Sequence, residues 1–223
     1  MNVGWKLLKG KHSYGKVLEL QEYLVKNRRT NTFLLLEHSP TYTVGRRIKE
    51  YDSKDLIALG AEFYSTKRGG EITFHGPGQL VGYPILNLTE FNLGVRDYIC
   101  TIQNMVIDTC KEFGIKAKST EHTGIWIDDR KIAAIGIQVQ RHITSHGFAL
   151  NCNTDLQWFE HIVPCGLKDK SVTSVSKETG KNVSVEQVLP VLLDCFGKRF
   201  RTSVVPLKDL NYSLDSEIEN YLK

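Results

Sequence analysis

Apolar residues recur along this chain in two rhythms. "VLELQEYLVKNRR" places Val17, Leu18, Leu20, Tyr23 and Leu24 on one face of an amphipathic helix. Residues 94–114 repeat that spacing with Val95, Tyr98, Ile99, Ile102, Met105, Val106, Cys110 and Phe113, and Gly114 supplies a stop. A final amphipathic helix is predicted over 185–200. Elsewhere the rhythm is strand-like. "TFLLLEHSP" (32–40) reads as a buried strand ended by Pro40, with "TYTVGRR" as a short extension and turn. "AEFYSTKR" (61–68) alternates as a strand does. "LVGYPILNL" (80–88) is another strand, which Pro84 assigns to a sheet edge because proline cannot donate to a ladder. "GIWIDD", "KIAAIGIQVQ" and "ITSHGFALNC" predict three strands in a meander, with a hairpin-type turn at 128–131. This order of elements predicts an α+β fold, a mixed and mostly antiparallel sheet with helices packed beside it.

Composition narrows the function classes more than the fold. The 223 residues are 41% hydrophobic and 24% charged, enough for one substantial core, and no repeat or linker divides them. A single domain over 1–223 is expected. Lys plus Arg (29) against Asp plus Glu (25) gives +4, too mild to imply nucleic acid. No apolar run has the length of a membrane span. Five cysteines, at 100, 110, 152, 165 and 195, form no CxxC pair, which indicates a reducing compartment. Cys100, Cys110 and Cys195 read as packing residues, while Cys152 ends a strand. The first residues carry four lysines and no acid before Glu19, as import peptides do. The amphipathic helix follows directly, so the N-terminus reads as the first element of the fold, with an import signal left open.

Three stretches could carry chemistry. "KRGGEITFHGPGQLVGYP" holds five of the 18 glycines, and clustered glycines let a backbone approach a ligand closely. An ordinary Gly-Pro turn would look similar, but Arg68 and His75 at either end favour a ligand loop. GxxxxGK[ST] is absent, so it is no P-loop. His142 and His146 lie four apart, as do His161 and Cys165. A zinc site would want that spacing on a helix, whereas "RHITSHGFALN" reads as strand, so no metal is predicted. Lys131 opens the apolar "KIAAIGI". Such a lysine ordinarily points its ammonium to water. Beside a cysteine it would instead favour the thiolate. Cys165 itself, on the turn "VPCGLK", reads equally as packing residue or nucleophile.

Together "TYTVGRR", "RGGEITFHGPGQLVGYPILNL" and "TGIWIDDRKIAAIGIQVQRHITSHGFALNCNTDLQWFEHIVPCGLKDKSVTSVSKE" resemble the lipoyl(octanoyl) transferases, over roughly residues 5 to 200. The second long block most resembles the animal mitochondrial members. The resemblance implies the fold of the biotin and lipoate protein ligases. It implies octanoyl transfer from octanoyl-acyl carrier protein to a lysine of lipoyl domains, those of 2-oxoacid dehydrogenase complexes and of the glycine cleavage H protein. No cofactor is implied, and the mitochondrial matrix is the implied location, or the cytoplasm if the source is bacterial. By the same resemblance the catalytic cysteine is Cys165 and its partner lysine Lys131. The acyl-binding residues are Arg68, Gly69, Gly70, Glu71, Ile72, Thr73, Phe74 and His75, then Ala134, Ile135 and Gly136, then Gly147, Phe148 and Ala149, with His146 supporting. Two rival readings are an ATP-dependent lipoate ligase and a non-catalytic module that binds acyl chains or lipoyl domains. "HGPGQ", where a ligase would carry His-Asp-x-Gly-Asn, and the presence of Cys165 argue against the ligase. Intact Lys131 and Cys165 argue against the module.

Overall fold

Phe33, Leu34, Leu35 and Leu36 are all fully buried. A strand sends alternate residues to opposite faces, so this one needs cover on both sides. The computed structural model, which describes residues 2–27, 30–162 and 170–222, shows that cover. In chain order, β1 (Asn2–His12) and α1 (Tyr14–Asn27) lead to β2 (Thr32–His38) and β3 (Thr41–Val44). Next come α2 (Lys54–Ala58), β4 (Glu62–Ser65), β5 (Thr73–His75), β6 (Gln79–Ile85) and α3 (Val95–Glu112). The meander β7 (Ile125–Ile127), β8 (Arg130–Gln140) and β9 (Ile143–Asn151) precedes a 3-10 turn over Leu156–His161. Beyond it lie β10 (Ser171–Val172), α4 (Val175–Thr179), α5 (Val185–Phe200), β11 (Ser203–Pro206), α6 (Leu207–Leu210) and α7 (Tyr212–Leu222).

The larger sheet runs β10–β8–β9–β6–β2–β1–β11 with β7 beside β8, and the smaller runs β4–β3–β5. The larger one is mixed, as expected: antiparallel from β7 through β8, β9 and β6 to β2, and parallel at β2–β1–β11 and β8–β10. Phe33 and Leu35 face α3 and α5, meeting Ile102, Met105, Val188 and Phe196. Leu34 and Leu36 face α1 and α7, meeting Val17, Leu20 and Ile218. At roughly 2 kcal/mol for each fully buried aliphatic side chain, this strand is a principal anchor of the core. The smaller sheet packs Tyr42 and Phe74 over Phe159 and Ile162.

Helix α3 ends as its sequence predicts. Gly114 takes φ +74, its N–H reaches Lys111 O, and the Ile115 N–H reaches Cys110 O, a Schellman closure. The N-terminal residues form the first element of the fold, as read from the sequence, and Lys6 is seated in β1 by Asp215 (2.7 Å) and Glu219 (3.0 Å) of α7, far away in sequence. Three expectations are corrected. Pro84 is not at an edge, since β6 lies between β2 and β9. The β6–β9 ladder stops at Gly82, however, so no ladder bond to β9 is lost at Pro84, and its carbonyl accepts from the Thr144 hydroxyl at 2.6 Å. The helix over 185–200 is not final, because α6 and α7 follow it. Cys110 and Cys195 pack in the core, but Cys100 lies on the exposed side of α3.

Candidate active site

Along the β8–β9 ladder Ala134 pairs with Ala149, Ile135 with Phe148 and Gly136 with Gly147. Arg141 and His142, both at positive φ, make the tight turn that sets this register. The two triplets singled out in the sequence are therefore direct neighbours. They form one wall of a narrow cleft whose free volume is about 40 Å³. Arg68, Gly70, Glu71, Ile72, Thr73 and His75 form the facing wall, with Lys131 and Thr123 also lining it. Two expected lining residues turn elsewhere. Alternation along β5 points Phe74 into the core of the smaller sheet, stacked on Trp158 at 5.1 Å. Gly69 instead fastens the loop to β8, its N–H donating to Ile137 O at 3.1 Å.

The loop is held by its own arginine. Arg68 is buried, and its guanidinium donates to Gly69 O (3.0 Å), Glu71 O (2.9 Å), Thr43 O (2.8 Å) and Thr43 Oγ1 (2.8 Å). A fork of five donors suits such an array of oxygens, and lysine would not replace it. Gly70 sits at φ +91, which strains any other residue. Gly45, at the end of β3, presses against the same loop. Its N–H donates to Glu71 O at 3.1 Å, and a Cβ there would lie 2.3 Å from Gly70 O. Gly45→Ala is therefore expected to push the loop out of place. Octanoyl transfer, the activity that the sequence resemblance implies, should fall about a hundredfold, the effect of roughly 1 Å of misplacement, while circular dichroism still reports a folded chain. Full activity in this variant would show that the loop tolerates the shift.

Lys131, at the start of β8, is buried, contrary to the ordinary habit of a strand-end lysine. Its Nζ lies 4.9 Å from the Trp126 ring centroid, and its stem runs past Gly124, where a Cβ would sit 3.0 Å from Cε. The other end of the cleft is a cluster of neutral polar rings. His146 lies in β9 with φ +55, and its N–H donates to Gln21 Oε1 of α1 at 2.7 Å. Burial first, and then the charge of Arg68, hold its imidazole down to about 4. Its Nδ1 lies 3.4 Å from the Tyr14 hydroxyl. Burial pushes the Tyr14 phenol up to about 12 and raises Tyr83 as well. His75 is buried and held well below the usual imidazole range, chiefly by desolvation. Its Nδ1 donates to Gln79 Oε1 at 2.9 Å, because the Gln79 amide nitrogen already donates to Phe74 O and Asn151 Oδ1. The exposed His142 and His161 take no part in the cleft.

Tyr14, Tyr83 and Thr123 line the cleft without having been singled out in the sequence. Tyr14 starts a helix and Tyr83 sits in a buried strand, where aromatic residues are ordinary. Cys165 lies outside the described residues.

A family model described as the lipoyl protein ligase A/B catalytic domain matches residues 13–197. The chain belongs to that family. The matched span takes in every cleft residue named above and Cys165. One relative of this lipoyl protein ligase A/B chain is the mitochondrial octanoyl-[acyl-carrier-protein]:protein N-octanoyltransferase of Danio rerio. It is 48% identical over 204 residues, 87% of this chain and 91% of that one. Among solved structures, a lipoate-protein ligase A bound with ATP matches with a TM-score of 0.76 at 16% identity, over 100% of this chain and 97% of that one. The biotin protein ligase of Aquifex aeolicus matches with a TM-score of 0.53 at 17% identity, over 97% and 77%. These likenesses place the chain in the biotin and lipoate ligase fold expected from its sequence.

Proposed function

We propose that this protein transfers an octanoyl group from octanoyl-acyl carrier protein to a lysine of lipoyl domains, through a thioester on Cys165. The observation that carries the reading is the assembly of Lys131, the Arg68–His75 loop and the two triplets around one narrow cleft. In the first half, the Cys165 thiolate attacks the octanoyl thioester carbon. The carbon–sulfur bond to the carrier breaks, and Lys131 as ammonium gives the departing thiol its proton. In the second half, Lys131 as amine takes a proton from the incoming lysine. That lysine attacks the acyl carbon, and the Cys165 thiolate leaves. Trp126 suits both forms of Lys131, since its ring attracts the ammonium without neutralising it as a carboxylate would. The neutral rings and small residues of the cleft suit an uncharged acyl chain. The acceptors are the lipoyl domains of 2-oxoacid dehydrogenase complexes and the glycine cleavage H protein, and the place is the mitochondrial matrix. The relative from Danio rerio, mitochondrial by name, supports that location.

The test is the intact mass of the protein after incubation with octanoyl-carrier protein, before and after a lipoyl domain is added. One octanoyl increment should appear, then move to the domain, at the same rate with or without ATP. A strict requirement for ATP would replace this reading with that of a ligase.

A further inference from the structure

A second groove lies across the Gly69–Gly70 segment from the acyl cleft. Arg46 and Arg47 line it, together with the apolar Val95 and Ile99 of α3 and Ile137 and Val139 of β8. It shares Gly70, Thr123, Ile135 and Gly136 with the cleft, so the two spaces adjoin around the Gly-rich segment and near Lys131. The arginines are fixed at some distance from that lysine. The Arg46 N–H donates to Arg68 O at 3.0 Å, and the neighbouring Gly69 N–H donates to Ile137 O at 3.1 Å. Arg46 thus stands near the level of Ile137, six residues along β8 from Lys131 and so about 20 Å away at roughly 3.3 Å per residue. Both arginine side chains are exposed, and among the described residues neither is paired with a carboxylate. The acidic lining residue, Glu121, lies two residues from Thr123, beside His122.

We propose that this groove takes the pantetheine arm of the donor thioester, with Arg46 and Arg47 binding the phosphate at its far end. The inference rests on the octanoyl-transfer reading and says how the donor is recognised. The arm has the matching chemistry along its length: a thioester at one end, methylenes and a gem-dimethyl group in the middle, and a phosphate anion at the other. The reactive end needs Lys131, the middle gains from the apolar walls, and the phosphate suits planar guanidinium donors. With the acyl chain in the cleft and the arm in the groove, the thioester carbonyl falls where the two spaces adjoin, within reach of the proton donor.

The experiment compares octanoyl-4′-phosphopantetheine with octanoyl-pantetheine as donors to a lipoyl domain. The wild-type protein should show a KM about tenfold lower for the phosphorylated donor, the worth of one charge-assisted contact. In Arg46→Ala/Arg47→Ala, two exposed substitutions, the two KM values should fall within about twofold of each other. Equal KM values in the wild type overturn the proposal, and so does a preference that survives in the double variant. Transfer from octanoyl-carrier protein but from neither small donor overturns it too. Absence of transfer from all three donors overturns the transferase reading, and the arm site with it.

Discussion

Cys165→Ser is expected to lower octanoyl transfer at least about a thousandfold and to abolish the octanoyl adduct detected by intact mass. Thioester exchange between sulfurs changes bond energy little, whereas a serine hydroxyl must lose a far less acidic proton and would form an ester that is slower to aminolyse. The other cysteines are poor substitutes. Burial pushes the Cys110 thiol up to about 12 and raises Cys152 and Cys195 as well. Cys100 faces outward from α3, in the helix rather than at the cleft. Peptide mapping of the acylated wild type should find octanoyl on Cys165 alone. An adduct on Cys152, or a competent serine variant, would sink the assignment.

Lys131→Met should cut transfer by about a hundredfold to ten-thousandfold, the usual range for loss of a general acid–base group. Methionine is the informative choice because it fills much of the unbranched stem between Trp126 and Gly124, keeping the packing while removing the amine. A free thiol near pKa 8.5 is only about 3% thiolate at pH 7, and a neighbouring cation increases that share. The pH midpoint for alkylation of Cys165 should therefore move upward in the variant. Lys131→Arg separates charge from proton transfer, since arginine stays protonated. It should leave Cys165 easily alkylated and still fail to acylate the lipoyl domain. If the alkylation midpoint is the same in Lys131→Met as in the wild type, this lysine does not poise the thiol.

Much of the cleft was legible because its parts are local in sequence. The Arg68–His75 loop is one stretch, and the Ala134 and Gly147 triplets belong to one hairpin whose alternation is plain. Linear motifs, however, do not say which side chains face inward, and strand alternation turned Phe74 away from the cleft it was expected to line. What was missed depends on distant partners. Tyr14 reaches the site only because α1 packs on β9, where Gln21 meets His146 across 125 positions of sequence. The N-terminus was read as the first element of the fold but not as a strand, and the acids that pair with Lys6 of β1 arrive only with α7. Pro84 was assigned to an edge by a rule about ladders, and the ladder to β9 stops just short of it.

The wall built from Ala134, Gly136, Gly147 and Ala149 is nearly bare backbone. A Cβ on Gly136 would stand 3.0 Å from Gly69 O, and one on Gly147 would stand 2.1 Å from Gly82 O. Mutation can thicken such a surface but has almost nothing to trim from it. An engineer seeking room for bulkier cargo could gain little by shaving residues along these strands. The removable bulk lies instead in the side chains facing them, Ile72 and the rings of Tyr14, His75, Tyr83 and His146. Natural drift in cargo size faces the same asymmetry: narrower tolerance lies one methyl away, and wider tolerance runs through those larger side chains.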